Sequence, residues 1–154
     1  MKAVTIRDKW APLIVFGGKD VENRPRVTRH RGPVLIHQGL TPWLRPWGQT
    51  ALRAWERAQA DPEFKRLADA MRKLEPHSRY GDFAGYVIGV VRIVECRIPR
   101  PGEILPSAWA QPECVHWILK DPAPLRYPVP ATGRLFLFDV PDDVVRPALP
   151  EGYL

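Results

Sequence analysis

Eighteen prolines are spread through these 154 residues, more than twice the share of about 5% usual in globular chains. Each one fixes its own φ and withdraws a backbone donor, so it interrupts helix interiors and is confined in sheets to edges and bulges. The chain therefore needs many turns and extended connections, and a helical bundle is excluded. A chain of this length buries roughly 70% of its unfolded surface as one domain, so it can fold without disulfides or metal. The expectation is a single domain over 1–154.

Short β-rich segments fit between the prolines. "AVTIR" (Ala3–Arg7) alternates and reads as a strand. Asp8 then stands where a helix N-cap would, and "KWAPLIVF" reads as a short helix with Trp10, Leu13 and Ile14 on one face. Gly17 and Gly18 are expected to stop it in the left-handed conformation. "GPVLIHQG" (Gly32–Gly39) reads as a buried strand. "FAGYVIGVVRIVECRI" (Phe83–Ile98) is the strongest strand signal, with Gly85 and Gly89 allowing bends or close approach. "CVHWILKD" (Cys114–Asp121) and "GRLFLFDV" (Gly133–Val140) also read as strands, and the remaining C-terminal residues as irregular packing.

The middle of the chain differs. Thr50–Ala60 and Asp61–Glu75 read as two helices, the second opening with Asp61 as N-cap, Pro62 at the first helical position and Glu63 in the first turn. Its apolar face comprises Phe64, Leu67, Ala68, Met71 and Leu74. The expected architecture is α+β: a small β-barrel decorated by a helical insertion over roughly 42–76.

Between the first helix and the Gly32 strand lies "GGKDVENRPRVTRHRGPVLIH", a charged strap with Lys19, Arg24, Arg26, Arg29 and Arg31 against Asp20 and Glu22. The net charge of +6 keeps nucleic acid, nucleotides and anionic surfaces among the partners. Extended backbone places Glu22 and Arg24 on one face. There they either form an ion pair that fixes the strap, or Arg24 meets a phosphate or base edge with Glu22 orienting it. Arg26, Arg29, His30 and Arg31 are either a solvated loop or a patch that shares one phosphate backbone. Trp10 is either core or a stacking platform, and Trp43 and Trp47 in a Pro-rich turn are candidates for surface stacking. Trp117 reads as core, and His37 as lining a cleft mouth.

Cys96 and Cys114 have no CxxC spacing, and the histidines have no metal-ligand spacing, so neither a metal site nor a disulfide framework is expected. Nothing points to a cofactor. No apolar stretch approaches the ~18 residues of a membrane span. Arg7 interrupts the N-terminus before a signal-peptide core could form. A cytoplasmic protein with reduced thiols is expected.

In this order the segments resemble the ASCH superfamily of PUA-like β-barrel domains. The resemblance rests on "KWAPLIVFGGKDVENR", "HRGPVLIHQG", "YVIGVVRIVEC" and "VHWILKD". The family signature W-A-x-x-I/L-x-x-G-x-K-x-x-E-x-R falls on Trp10, Ala11, Ile14, Gly17 or Gly18, Lys19, Glu22 and Arg24. The resemblance implies a barrel with its first helix across one opening and a cleft near Lys19 that binds RNA, DNA or a modified nucleoside. The nucleic-acid contacts it implies, together with the charge, are Trp10, Lys19, Arg24, Arg26, Arg29, His30, Arg31 and His37.

One enzymatic branch of the family removes acetyl groups from acetylated cytidine with a lysine, a threonine three residues later and a distant glutamate; another member is a ribonuclease. Here Lys19 matches the lysine, but Glu22 stands where the threonine would be. Thr5 and Thr28 are nearby hydroxyls in sequence, and Glu95 and Glu113 compete for the distant glutamate. If the protein is an enzyme, the alternative hydrolase reading makes Lys19 and Glu22 its catalytic residues.

Overall fold

The computed structural model describes residues 1–41, 45–76 and 83–154. Trp43 lies outside the described residues, as does His77 among the histidines.

Strand β1 (Lys2–Ile6) leads into helix α1 (Trp10–Phe16), strand β2 (Val21–Arg24) and strand β3 (Gly32–Gln38). Helices α2 (Gln49–Ala60) and α3 (Pro62–Leu74) follow, then the long strands β4 (Tyr86–Arg97) and β5 (Val115–Pro130). The chain ends with β6 (Leu137–Asp139), helix α4 (Asp142–Val145) and a 3₁₀ turn, Arg146–Ala148. All six strands form one sheet in the order β2-β5-β4-β3-β1-β6, with β1 parallel to β3 and every other pair antiparallel. The fold is mixed α+β, and the sheet curls into a half-barrel. Arg24 of β2 reaches the carbonyl of Thr5 on β1, although three strands separate them in the sheet. Trp117 of β5 likewise meets Phe136, just before β6, edge to face at 5.6 Å.

The sheet is covered on both faces. Val4, Ile6, Val34 and Ile36 join α1, α2 and α3 in the larger core, whereas Ala3 and Leu35 turn to a second core. That is why Val34, Leu35 and Ile36 form an unbroken apolar run rather than an alternating one. The C-terminal segment, expected to be irregular, instead folds into α4 and the 3₁₀ turn and places Val145, Ala148 and Leu149 in the second core.

Other expectations also shift. Asp8 is not the cap of α1: it sits at φ 43°, and Lys9 precedes the helix without a side-chain cap. Of the two glycines after the helix, Gly18 takes the left-handed conformation at φ 75°, while Gly17 stays at φ −98°. Helix α3 starts as expected, with Asp61 accepting from the Glu63 amide, but Leu74 is exposed because the helix ends there. Strand β5 runs on through Pro122, Pro124 and Pro128, well past the expected end at Asp121. Among the described residues β2 pairs only with Val115–Ile118, so the prolines of β5 lie where it is paired along one side alone and proline is tolerated. The predicted strand from Gly133 shrinks to three residues, because Phe136 turns at φ 63°.

Candidate functional site

A cavity of about 1080 Å³ opens inside the curl of the sheet. β1 contributes Thr5, α1 contributes Trp10, β3 contributes His37, and Lys19, Glu22 and Arg24 come from the start of the strap. Residues 108–111 and 131–136 close its sides.

Glu22 is the hub of the charged wall. Its Oε2 accepts from Lys19 Nζ at 2.9 Å, and its Oε1 lies 3.1 Å from Arg24 Nε. The Arg24 contact is close enough for an ion pair but is not aligned as a hydrogen bond. Lys19 also donates to the Val21 carbonyl and stands 6.0 Å from the Trp10 ring centroid. Arg24 Nη2 donates to the Thr5 carbonyl at 2.8 Å, and its guanidinium carbon is 5.4 Å from the Trp117 ring centroid. These side chains are mostly out of water, with 5% of Lys19, 14% of Glu22 and 17% of Arg24 exposed. The two-residue spacing on β2 brings Glu22 and Arg24 together, as expected. They form the ion pair and at the same time line the cavity.

Two loops supply aromatic walls. Asn23 donates to the Trp109 carbonyl at 2.8 Å and accepts from the Gln111 amide at 2.9 Å. Asp20 accepts from Ser107 Oγ, so the edge of β2 clips the whole 107–111 loop in place. This sets Trp109 edge-on to Trp10, at 6.2 Å and 85°. Phe136 also lines the cavity, held against the indole of Trp117. Trp10 is half-buried and lines the cavity, and it also packs against Trp47 at 5.6 Å. Trp47 is half-buried and does not line the cavity; it packs between Trp10 and Trp55 with Lys9 nearby.

His37 is 2% exposed, with Nδ1 3.2 Å from Thr5 Oγ1 and Nε2 2.9 Å from the Ala131 carbonyl. Burial pushes its pKa below the ordinary histidine value, with the hydrogen bonds to the Ala131 and Gly85 backbones opposing the shift. The imidazole is neutral at pH 7.

The expected site residues therefore divide. Trp10, Lys19, Glu22, Arg24 and His37 meet at the cavity. Arg26, Arg29, His30 and Arg31 do not line it. Arg26, Arg29 and Arg31 are all exposed; Arg31 also donates to the carbonyls of Thr28 and His30, and His30 Nε2 bonds the Pro33 carbonyl. Much of that run holds its own loop together. Of the two nearby threonines, Thr5 lines the cavity, while Thr28 is buried and accepts from the His30 amide. Neither Glu95 nor Glu113 reaches the cavity; Glu22 is its one lining carboxylate among the described residues.

Sequence reasoning missed Arg7, Trp109, Arg134 and Phe136, which also line the cavity. Arg7 shared a face with Thr5 by strand alternation, but Trp109, Arg134 and Phe136 sit in loops and carried no periodic signal. Among the described residues no group of His, Cys, Asp or Glu is placed to hold a metal, and no helix is long and apolar enough to cross a membrane. No protein-family model and no curated protein matches this chain.

Proposed function

We propose that the cavity receives a single nucleobase, presented by single-stranded RNA or DNA or as a modified nucleoside, and that the protein is a cytoplasmic binding module of the PUA-like ASCH type. The observation that carries this reading is the pairing of aromatic walls with an excess of positive charge. Among the described residues, Arg7, Lys19, Arg24 and Arg134 line the cavity against the one carboxylate of Glu22. Trp10, Trp109 and Phe136 offer ring faces and edges on which a base could stack. Cations supply affinity for phosphate, and stacking supplies tolerance for a planar base. A cavity of about 1080 Å³ lies at the upper end of the range of small-molecule sites and has room for a base with its sugar. Arg26 and Arg29, exposed on the adjoining loop, would then meet the flanking backbone.

A hydrolase at the same cavity remains the alternative. Lys19 and Glu22, ion-paired at 2.9 Å, would be its catalytic residues, and neither is a hydroxyl nucleophile.

The test is anisotropy of fluorescent single-stranded and duplex RNA and DNA over a salt series. The expected result is preferential single-strand binding that weakens steeply with salt and falls at least tenfold in Arg24→Ala. Equal affinity for duplex and single strand, or no binding at low salt, would refute the reading.

A further inference from the structure

The turn between β5 and β6 is held at both ends. The Ala131 amide donates to the Gly85 carbonyl at 3.1 Å, and the Ala131 carbonyl lies 2.9 Å from His37 Nε2. Gly133 then packs closely on β1 and β3: a Cβ there would stand 2.8 Å from Thr5 Oγ1 and 2.7 Å from His37 Cε1. At the other end Phe136 meets Trp117 edge to face, and Trp117 is fully buried. Arg134 and Leu135 lie between these two anchors.

Leu135 is 97% exposed, and Phe136 is 40% exposed even though Trp117 anchors it. Both line the cavity, so they stand at its mouth, as does the exposed Arg134. Among the described residues Arg134 has no hydrogen-bond or ion-pair partner. Phe136 also takes φ 63°, a left-handed conformation that is an outlier for a bulky side chain. A single exposed leucine is ordinary on a protein surface. Strained backbone that holds an aromatic residue at a cavity mouth, beside an exposed leucine and an unpaired arginine, is not, and strain of this kind collects at ligand sites.

We propose that this turn is a second subsite, and that the ligand is a strand of at least two nucleotides rather than a free nucleoside. The proposal rests on the reading that a base enters the cavity. The inserted base contacts Trp10 and Trp109. The next nucleotide leaves over the turn: its base lies against Phe136 and Leu135, and the phosphate joining the two meets Arg134. Stacking on an aromatic ring tolerates any base, and an aliphatic side chain extends the apolar contact without a hydrogen-bond preference. The phosphate contact fixes the register of the strand on the protein. Because both ends of the turn are anchored, little ordering entropy is lost when the strand arrives. The positive charge around the turn selects a nucleotide over an apolar peptide: among the described residues Arg7, Lys19, Arg24 and Arg134 line this cavity with one carboxylate, that of Glu22.

The test uses the full chain and a short fluorescent single-stranded RNA of mixed sequence, with its DNA counterpart run in parallel. Each labelled strand is displaced by one of two competitors with the matching sugar. One is an equimolar mixture of nucleoside 5′-monophosphates; the other is a mixture of dinucleoside monophosphates, which carry less charge per molecule. The second subsite predicts that the dinucleotides displace the strand about tenfold more effectively despite their lower charge. Leu135→Ser, at a side chain exposed enough for the fold to tolerate the change, removes most of that advantage and leaves displacement by the monophosphates unchanged. Leu135→Trp widens the platform and enlarges the advantage. Thermal unfolding like that of the wild type verifies the fold of both variants. Equal displacement by the two mixtures, or an equal loss for both in Leu135→Ser, overturns the second subsite and leaves the base-binding reading standing. So does a dimer in sedimentation that Leu135→Ser dissociates without changing displacement by the dinucleotides. Failure of both labelled strands to bind refutes the base-binding reading, and the subsite with it.

Discussion

Glu22→Gln isolates the charge that holds the cavity wall together. The carboxylate contacts Lys19 on one oxygen and Arg24 on the other, and all three side chains are at most 17% exposed. Removing one partner of a fully buried ion pair costs about 3–5 kcal/mol, because the remaining charge stays buried. Here Lys19 keeps the Val21 carbonyl and Arg24 keeps the Thr5 carbonyl. The glutamine oxygen can still accept one bond, so the expected cost is about 2–3 kcal/mol. With a urea slope of about 2 kcal/mol/M, the unfolding midpoint should fall by about 1–1.5 M with the slope unchanged. Glu63→Gln is the internal reference, since it breaks a solvent-exposed pair with Arg66 and should cost under about 1 kcal/mol. Equilibrium urea unfolding followed by tryptophan fluorescence decides the matter. A midpoint shift for Glu22→Gln no larger than that for Glu63→Gln would refute the idea that a buried charge network organises the wall.

Two further outcomes follow from the packing. Gly89→Ala places a Cβ 2.5 Å from Val15 Cγ2 and 3.0 Å from the Ala123 carbonyl; it should cost about 2 kcal/mol and lower Tm by roughly 6 °C in calorimetry, whereas an unchanged Tm would mean that α1 does not press on β4. His37 contributes a pH dependence of defined sign: its folded pKa lies below the usual 6.5, so the unfolded chain takes up the proton first. Its share of stability is complete above 6.5 and is lost as pH falls from there toward the lower folded value. The Tm-versus-pH slope between neutrality and pH 5 should be shallower in His37→Gln than in the wild type, and equal slopes would contradict the assignment.

The features that could be read from the sequence are those set by local chemistry. Asp61, Pro62 and Glu63 define the start of α3 within a few residues, and the cap forms as those residue types require. The two-residue spacing of Glu22 and Arg24 likewise brings them together without any tertiary information. What escaped the sequence depends on distant neighbours. Pro122, Pro124 and Pro128 argued against a strand, yet β5 passes through them because, among the described residues, no strand lies on its far side there. Trp47 stood in a turn that looked exposed, but Trp10 and Trp55 pack against it and leave it half-buried. The Thr5–His37 contact comes from parallel pairing of strands 32 positions apart in sequence, a register that no local pattern encodes. The arginine run from 26 to 31 looked like one patch, but Arg31 and His30 turn back onto their own loop.

A base that enters the cavity can be told from one that rests on the charged loop outside it. Backbone amide and arginine side-chain NMR shifts, followed while a short single-stranded RNA is titrated into the labelled protein, locate the contact residue by residue. Entry of the base should give the largest shifts at Thr5, Arg24, Gly39, Trp109 and Gly133, which line the cavity. Shifts confined to Arg26, Arg29 and their exposed neighbours, with the cavity residues unmoved, would contradict it.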